Sequence, residues 1–151
     1  MTDKLKLRAF DDSDLEVISA ATQDALVAVK DIGWFAEDKR LALVINRFRW
    51  EAPADADGRW SRTHSALVFH EVDTVRHMDV PLGEPDRILE LLSMALDPSG
   101  ADGIAVLLSF AAHRTIRLTA PKLLCHLEDL GEPWPTTWRP THPGAEVDAA
   151  R

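Results

Sequence analysis

The fold is decided by Arg40-Leu41-Ala42-Leu43-Val44-Ile45-Asn46-Arg47-Phe48-Arg49-Trp50. Seven of these residues are apolar, and four of the seven are β-branched or aromatic, which favours a β-strand. Successive side chains of a strand point to opposite faces, so the first half is apolar on both faces. In the second half Phe48 and Trp50 share one face, and Arg47 and Arg49 share the other. We therefore expect a central strand, covered on both sides at one end and half-solvated at the other.

The flanking segments predict one helix and further strands. Ser13 and Glu16 form a capping box, and apolar residues at helical spacing extend the helix over residues 13 to about 25. Two apolar segments, 88–96 and 121–130, fit either a strand or a helix. Alternating apolar residues and turn signals predict strands at 26–35, 41–50, 64–70, 74–80, 104–110 and 115–119.

The predicted fold is a single α+β domain over residues 1–131, mainly β. One N-terminal helix packs on a mostly antiparallel sheet or flattened barrel of seven or eight strands. The two halves share a pattern in which Leu67 and His77 correspond to Ile116 and His126, each 49 residues later. This pattern suggests two pseudo-repeated β-meanders with both ambiguous segments as strands, although apolar strands separated by turns always align to some degree. Residues 132–151 contain four prolines, which predict an extended C-terminal tail without regular structure.

Composition excludes several classes of protein. The formal net charge of −8 argues against nucleic-acid binding, which draws on clustered Lys and Arg. No apolar run approaches the roughly 20 residues that span a bilayer. The only cysteine, Cys125, cannot form an internal disulfide, so we expect a cytoplasmic protein.

No stretch carries a specific catalytic or cofactor signature, so we lean against an enzyme and expect no cofactor. His64 and His70 are too far apart along one strand, near 20 Å, to bind one metal ion. A site made by His77 and His126 would require the internal repeat to be real. We predict no metal site, and a catalytic role for the Cys125 thiol is not favoured, because no CxxC partner accompanies it.

The central strand holds the sharpest candidate site. Arg47 and Arg49 are about 7 Å apart on one face and could clamp a carboxylate or phosphate. Asn46, Trp50 and Trp60 would complete this ligand site beneath the loop at 51–61. The alternative is that both arginines pair with Glu51 and with acids of neighbouring strands such as Glu71 or Asp73, with Asn46 bonded to a neighbouring turn.

The tail holds a second candidate. Trp134 and Trp138 lie in a proline-rich segment, and two tryptophans are unfavourable to leave in water. We expect them to dock on this domain, on a second copy or on a protein partner, with the first two favoured.

Three stretches resemble a known family: Leu5–Ala20, the run from Leu43 to Glu51, and Leu127–Trp134. They are similar to DUF2948, a family of small, mainly alphaproteobacterial proteins of unknown function. Ala111-Ala112-His113 departs from the family pattern, which has a Gly-rich turn there. The resemblance supplies no activity, cofactor or catalytic residue.

Three functions stay open. The first is a non-enzymatic interaction or accessory module, dimeric or bound to a protein partner. The second is a binder of a small anionic ligand near Arg47, Arg49 and Trp50. The third is an enzyme whose catalytic residues are dispersed in sequence. A binder should show a pocket that converges on the arginines, whereas a module should show them paired to acids.

Overall fold

The computed structural model describes residues 4–98 and 102–141, which contain one α-helix and eleven β-strands. Two single turns of 3₁₀ helix, Val29–Asp31 and Ala36–Asp38, flank the third strand. The elements are α1 (Asp12–Ala21), β1 (Lys6–Ala9), β2 (Ala25–Ala28), β3 (Ile32–Phe35), β4 (Arg40–Phe48), β5 (Trp60–Phe69), β6 (Thr74–Met78), β7 (Ile88–Leu96), β8 (Ile104–Phe110), β9 (Arg114–Ala120), β10 (Cys125–Asp129) and β11 (Trp134–Thr136).

All these strands belong to one antiparallel sheet in the order β1-β10-β5-β4-β2-β7-β8-β9-β6, with β3 on β4 and β11 on β5. The α+β class is confirmed. The strand number exceeds the seven or eight expected because the strand predicted at 26–35 is split into β2 and β3, and because β1 and β11 are too short to show a clear alternation. Both ambiguous segments contain strands, β7 and β10.

The core lies on one face of this sheet. On β4 the inward side chains Leu41, Leu43 and Ile45 are buried, and they belong to one apolar cluster that also includes residues of β5, β7, β8, β9 and β10. Helix α1 covers part of the core with Leu15 and Ile18, both fully buried. The expectation that β4 is covered on both sides is wrong, because Val44 on the outer face is 41% exposed.

The helix begins and ends differently from the prediction. The N-cap is Asp11, whose side chain accepts a hydrogen bond from the Asp14 N–H at 2.8 Å, so Ser13 lies inside the first turn. An aspartate at this position satisfies an orphan N–H as well as a serine does. The helix ends at Ala21, because the chain turns through Asp24 at φ 63° and Ala25 already belongs to β2.

The two halves of the chain repeat a three-stranded meander, β2-β4-β5 and β7-β8-β9, joined where β2 pairs with β7. The expected fourth strand of each meander is exchanged: β6 leaves the first half to pair with β9, and β10 leaves the second half to pair with β5. Each half therefore supplies one strand that pairs with the meander of the other half.

The register of the repeat differs by one residue from the sequence prediction. On β5, Leu67 pairs with Leu127; on β9, the corresponding Ile116 pairs with His77. His77 thus occupies the position of Leu127 and not that of His126. Because neighbouring strand residues point to opposite faces, this offset removes the suggested match of the two histidines.

The C-terminal segment is more regular than predicted. Trp134, Pro135 and Thr136 pair with Arg62, Ser61 and Trp60 of β5, so β11 extends the edge that β10 occupies further along β5. A proline is tolerated there because an edge strand leaves one side of its backbone unpaired. The rest of the predicted tail beyond residue 141 lies outside the described residues.

Candidate functional site

Arg47 is a fully buried ion-pair centre. Its guanidinium donates to both oxygens of Asp129, at 3.0 and 2.9 Å, and to both oxygens of Glu51, each at 2.9 Å. The remaining contacts are to the hydroxyl of Ser65 and the carbonyl of Phe48. All five N–H donors of the side chain are therefore engaged within the protein.

The ion pairs decide the charge states in this centre. Burial by itself would lower the pKa of Arg47, but hydrogen bonds to Glu51 and Asp129 outweigh it and raise that pKa. Burial opposes ionisation of Asp129, yet the hydrogen bonds from Arg47, Ser65 and the Leu5 N–H lower its pKa. Arg47 is therefore buried, whereas the sequence predicted a half-solvated face. The alternative named Glu51 correctly, but the second acid is Asp129 and not Glu71 or Asp73. Arg47 has no donor left for a ligand.

Arg49 and Asn46 are also bound to the protein. Arg49 Nη1 donates to the Ser61 hydroxyl at 2.9 Å, and its Nε lies 3.8 Å from Glu51. The amide oxygen of Asn46 accepts from Arg62 Nε at 2.6 Å, which links β4 to β5 instead of binding a turn. These contacts explain why polar residues are tolerated at this end of the central strand.

Trp50 and Trp60 both pack on Phe48, with ring-centroid distances to Phe48 of 4.7 and 5.9 Å. The guanidinium carbon of Arg139 lies 5.5 Å from the centroid of Trp50 and 5.0 Å from that of Trp60. Both distances permit cation–π attraction. The aromatic surface predicted for a ligand is therefore covered by an arginine of the chain itself.

A cavity of about 280 Å³ lies next to this surface, lined by Arg49, Arg59, Trp60 and Trp134 among others. Its cations are already neutralised, because Arg59 pairs with Asp55 at 3.2 Å and Arg49 lies near Glu51. This cavity thus offers little net attraction to an anion.

The two tail tryptophans differ. The ring of Trp134 packs on His64 with a centroid distance of 4.7 Å, so this part of the tail docks on its own domain. Trp138 is 63% exposed. A role for Trp134 and Trp138 in binding a partner stays a prediction.

A different site lies at the other end of β5. His70 Nε2 is 3.0 Å from His126 Nδ1, and the two rings stack at 5.0 Å with 25° between their planes. One ring donates an N–H that the other ring accepts. The two histidines line a cavity of about 310 Å³ together with Arg8, Phe10 and Leu124.

Two arginines flank this pair. Arg8 on β1 is the cross-strand neighbour of His126, and Arg40, the first residue of β4, influences His70 electrostatically. Both side chains are exposed, and within the described residues neither guanidinium has a hydrogen-bond or ion-pair partner. We call Arg8, Arg40, His70 and His126 the basic cluster.

The pKa of His70 is lowered by burial, and further by the proximity of His126 and Arg40. Glu71 opposes this shift, but Glu71 also lies 3.8 Å from Lys122. The basic cluster therefore concentrates positive charge, and no described acidic side chain forms an ion pair with its arginines. The net charge of the whole chain is −8.

The family model described as "Protein of unknown function (DUF2948)" matches residues 5–142. The chain belongs to the DUF2948 family. No curated protein and no solved structure matches this chain at a significant level.

Burial also decides the protonation state of the single cysteine in this DUF2948 protein. The side chain of Cys125 is buried, which raises the pKa of its thiol to about 12 and keeps it protonated. Within residues 4–98 and 102–141, no three His, Cys, Asp or Glu side chains converge as a metal site, and no helix has the length and apolar character that a membrane span requires.

Sequence reasoning missed the basic cluster in this DUF2948 chain because its members come from four separate segments. The sequence pattern relates His70 to His64 on its own strand, and His126 to His77 through the repeat. The signal available in the sequence was the alternation on β10, which places His126 on the face opposite Cys125 and Leu127.

Proposed function

We propose that this protein is a non-enzymatic binding protein for a small anion, and that the basic cluster is its binding site. The support is one observation: a hydrogen-bonded imidazole pair and Arg8 line a cavity of about 310 Å³, and Arg40 acts electrostatically on His70 from the neighbouring strand. Neither arginine side chain has an acidic partner among the described residues. This cavity is at the lower end of the size range of small-molecule sites.

The expected ligand is a compact oxyanion group, such as a phosphate, sulfate or carboxylate. Arginine guanidinium groups hydrogen-bond such groups with two parallel donors. One proton added to the imidazole pair leaves each ring with an N–H donor that the hydrogen bond between the rings does not use. Phe10, which is 58% exposed, and Leu124 give the cavity an apolar wall, so the ligand can also carry a small apolar part.

Binding should be linked to protonation of the imidazole pair. Without a ligand, burial, His126 and Arg40 hold the pKa of His70 below its ordinary value of about 6.5. An anion in the cavity favours the charged imidazole and raises that pKa. Anion affinity should therefore increase as the pH falls through this range.

The test is thermal unfolding in sodium sulfate and in sodium chloride of equal ionic strength, at pH 8 and pH 6. Sulfate is suitable because its own charge is constant between these values. A dissociation constant of about 1 mM would add about 1.4 kcal/mol at 10 mM sulfate, equivalent to a rise in Tm of about 3–6 °C. The rise should be larger at pH 6.

Two double variants distinguish site binding from general salting-out. Arg8→Ala/Arg40→Ala removes the cations of the basic cluster, and Lys4→Ala/Arg76→Ala removes the same charge from exposed residues elsewhere. The proposal requires that the first variant lose the sulfate-specific rise and the second retain it. An equal rise in all three proteins would be a general sulfate effect and would overturn the proposal.

The interaction-module hypothesis for this chain stays a prediction, and a separate surface supports it, as described below. A cytoplasmic location belongs to the same proposal, supported by the single, buried and protonated thiol of Cys125.

A further inference from the structure

An apolar groove lies between strands β3 and β6, and Arg40 of the basic cluster adjoins its floor residue Leu41. Its cavity of about 290 Å³ has Leu41 and Ile116 as a floor, and these side chains are 1% and 3% exposed. Trp34 of β3 forms one wall, and Val75 and His77 of β6 form the other. We call this the edge groove.

The rim of the edge groove is unusually apolar for exposed surface. Two large apolar side chains of its lining, Trp34 and Leu82, are 36% and 59% exposed. A concentration of large apolar side chains on one surface is typical of an interaction site, whereas isolated ones are ordinary.

Both strands that border the edge groove have a free edge. In the part of the chain that the structure describes, β6 is the last strand of the sheet and pairs only with β9, and β3 pairs only with β4. Unpaired backbone N–H and C=O groups beside an apolar cavity suit an added β-strand, whose backbone bonds the edge and whose alternate side chains enter the cavity.

The charge on β6 indicates which residues an incoming strand should carry. Val75 and His77 line the edge groove, so Arg76 between them points to the opposite face. Within the described residues Arg76 has no acidic partner, whereas its cross-strand neighbour on β9, Arg117, is paired with Asp97 at 2.9 Å. An incoming strand with an acidic residue opposite Arg76 and apolar residues on either side would satisfy both faces of β6.

The same charge disfavours a second copy of this chain as the occupant. Two β6 strands paired antiparallel about their centres would place two Arg76 side chains directly opposite each other, which is destabilising. We propose that the edge groove binds an extended segment of a partner protein in which apolar and acidic residues alternate, added as a strand to β6.

The experiment is a titration of ¹⁵N-labelled protein with the peptide acetyl-SVEVEVS-amide, followed by amide chemical shifts. The expected result is saturable shifts confined to β3, β6 and the residues around Leu82, with a dissociation constant of about 0.1–1 mM for so short a peptide. The control peptide acetyl-SVKVKVS-amide, which has the opposite charge, should bind at least tenfold more weakly.

A charge exchange makes the test specific. Arg76→Glu should reverse the preference, so that the lysine peptide binds more tightly than the glutamate peptide. Leu82→Asp, at an exposed position in the groove wall, should weaken both peptides. Lys4→Glu makes the same charge change near β1 and should leave both affinities unchanged.

Three results would overturn the proposal. The first is no shift in β3 or β6 up to 1 mM peptide with folded protein. The second is shifts centred on Arg8 and His126, which would assign the peptide's carboxylates to the basic cluster. The third is shifts of the β6 amides with protein concentration alone, which would make a second copy the occupant.

Discussion

Arg47 and Asp129 form a buried, two-point ion pair across 82 positions of sequence, with Arg47 Nε 3.0 Å from Asp129 Oδ1 and Nη2 2.9 Å from Oδ2. Strand β5, which lies between β4 and β10, also contacts this ion pair, because the Ser65 hydroxyl donates to Asp129 Oδ1 at 2.6 Å. The Leu5 N–H donates to the other oxygen. The pair therefore fixes β4, β5 and β10 relative to one another and holds Leu5, the residue before β1.

The first prediction is that Asp129→Ala lowers the free energy of unfolding by about 3–5 kcal/mol, because it leaves the buried charge of Arg47 without its most enclosed partner. Urea unfolding with a tryptophan fluorescence readout measures this. The matched control is Glu51→Ala, which removes the other carboxylate from the same guanidinium. The Glu51 side chain is 39% exposed, against 3% for Asp129, so water can replace it and the loss should be clearly smaller. Equal losses would contradict a special role for the buried partner.

The second prediction concerns acid stability. Hydrogen bonds from Arg47, Ser65 and Leu5 outweigh burial and hold the pKa of Asp129 below its ordinary value of about 3.9. Between the folded and unfolded pKa values the unfolded state binds more protons, so this stabilisation is complete above about pH 4 and is lost as the pH falls below it. The stability difference between wild type and Asp129→Asn should therefore be constant from pH 7 to about pH 5 and shrink towards pH 3. A difference that stays constant down to pH 3 would show that ionisation of Asp129 is not what stabilises the fold.

Most of the sheet could be predicted from the sequence because a strand with one buried face alternates every two residues. That period identified β4, β5, β6, β8 and β9, whereas strands at 88–96 and 121–130 were favoured by the internal repeat. The exchange of β6 and β10 between the halves could not be predicted, because it depends on which edges meet in three dimensions and leaves the local alternation unchanged. The same limit applies to β11, whose three residues include a proline.

The site was harder to predict because side-chain partners come from distant strands. The run from Asn46 to Glu51 suggested a ligand clamp, but the acid that neutralises Arg47 is Asp129, far along the chain. The imidazole pair of the basic cluster joins residues 56 positions apart. A pattern along one strand gives the face of each residue, whereas its partner depends on strand order and register.

The third prediction concerns the connection between β8 and β9. Ala112 has φ 67° and His113 φ 59°, in the left-handed region that is unfavourable for residues with a Cβ. This is the turn at which the sequence departs from the glycine-rich turn that the family resemblance leads us to expect. Ala112→Gly should therefore raise the free energy of unfolding by about 0.5–1 kcal/mol, after allowance for the greater freedom of glycine in the unfolded chain.

The neighbouring residue provides the control for this change. Ala111→Gly makes the same chemical change in the same turn, but at a residue that does not have positive φ. It should be neutral or destabilise by up to about 1 kcal/mol. If both glycine variants shift the midpoint of urea unfolding in the same direction, relief of the left-handed backbone is not the cause.

The fourth prediction is that Arg139 stabilises the docked C-terminal segment through its contacts with Trp50 and Trp60. Its guanidinium carbon lies 5.5 and 5.0 Å from the two ring centroids, and exposed cation–π contacts contribute about 0.5–1 kcal/mol. Arg139→Ala should lower stability by about this amount and change the tryptophan emission, whereas Arg139→Lys should retain part of both, because an ammonium group is also attracted to an aromatic face. Trp138→Ala is the control: this ring is 63% exposed, so its removal should leave stability within about 0.5 kcal/mol of wild type. If Arg139→Ala and Trp138→Ala have the same small effect on stability, then the aromatic surface of Trp50 and Trp60 is only loosely covered and would be open to a ligand after all.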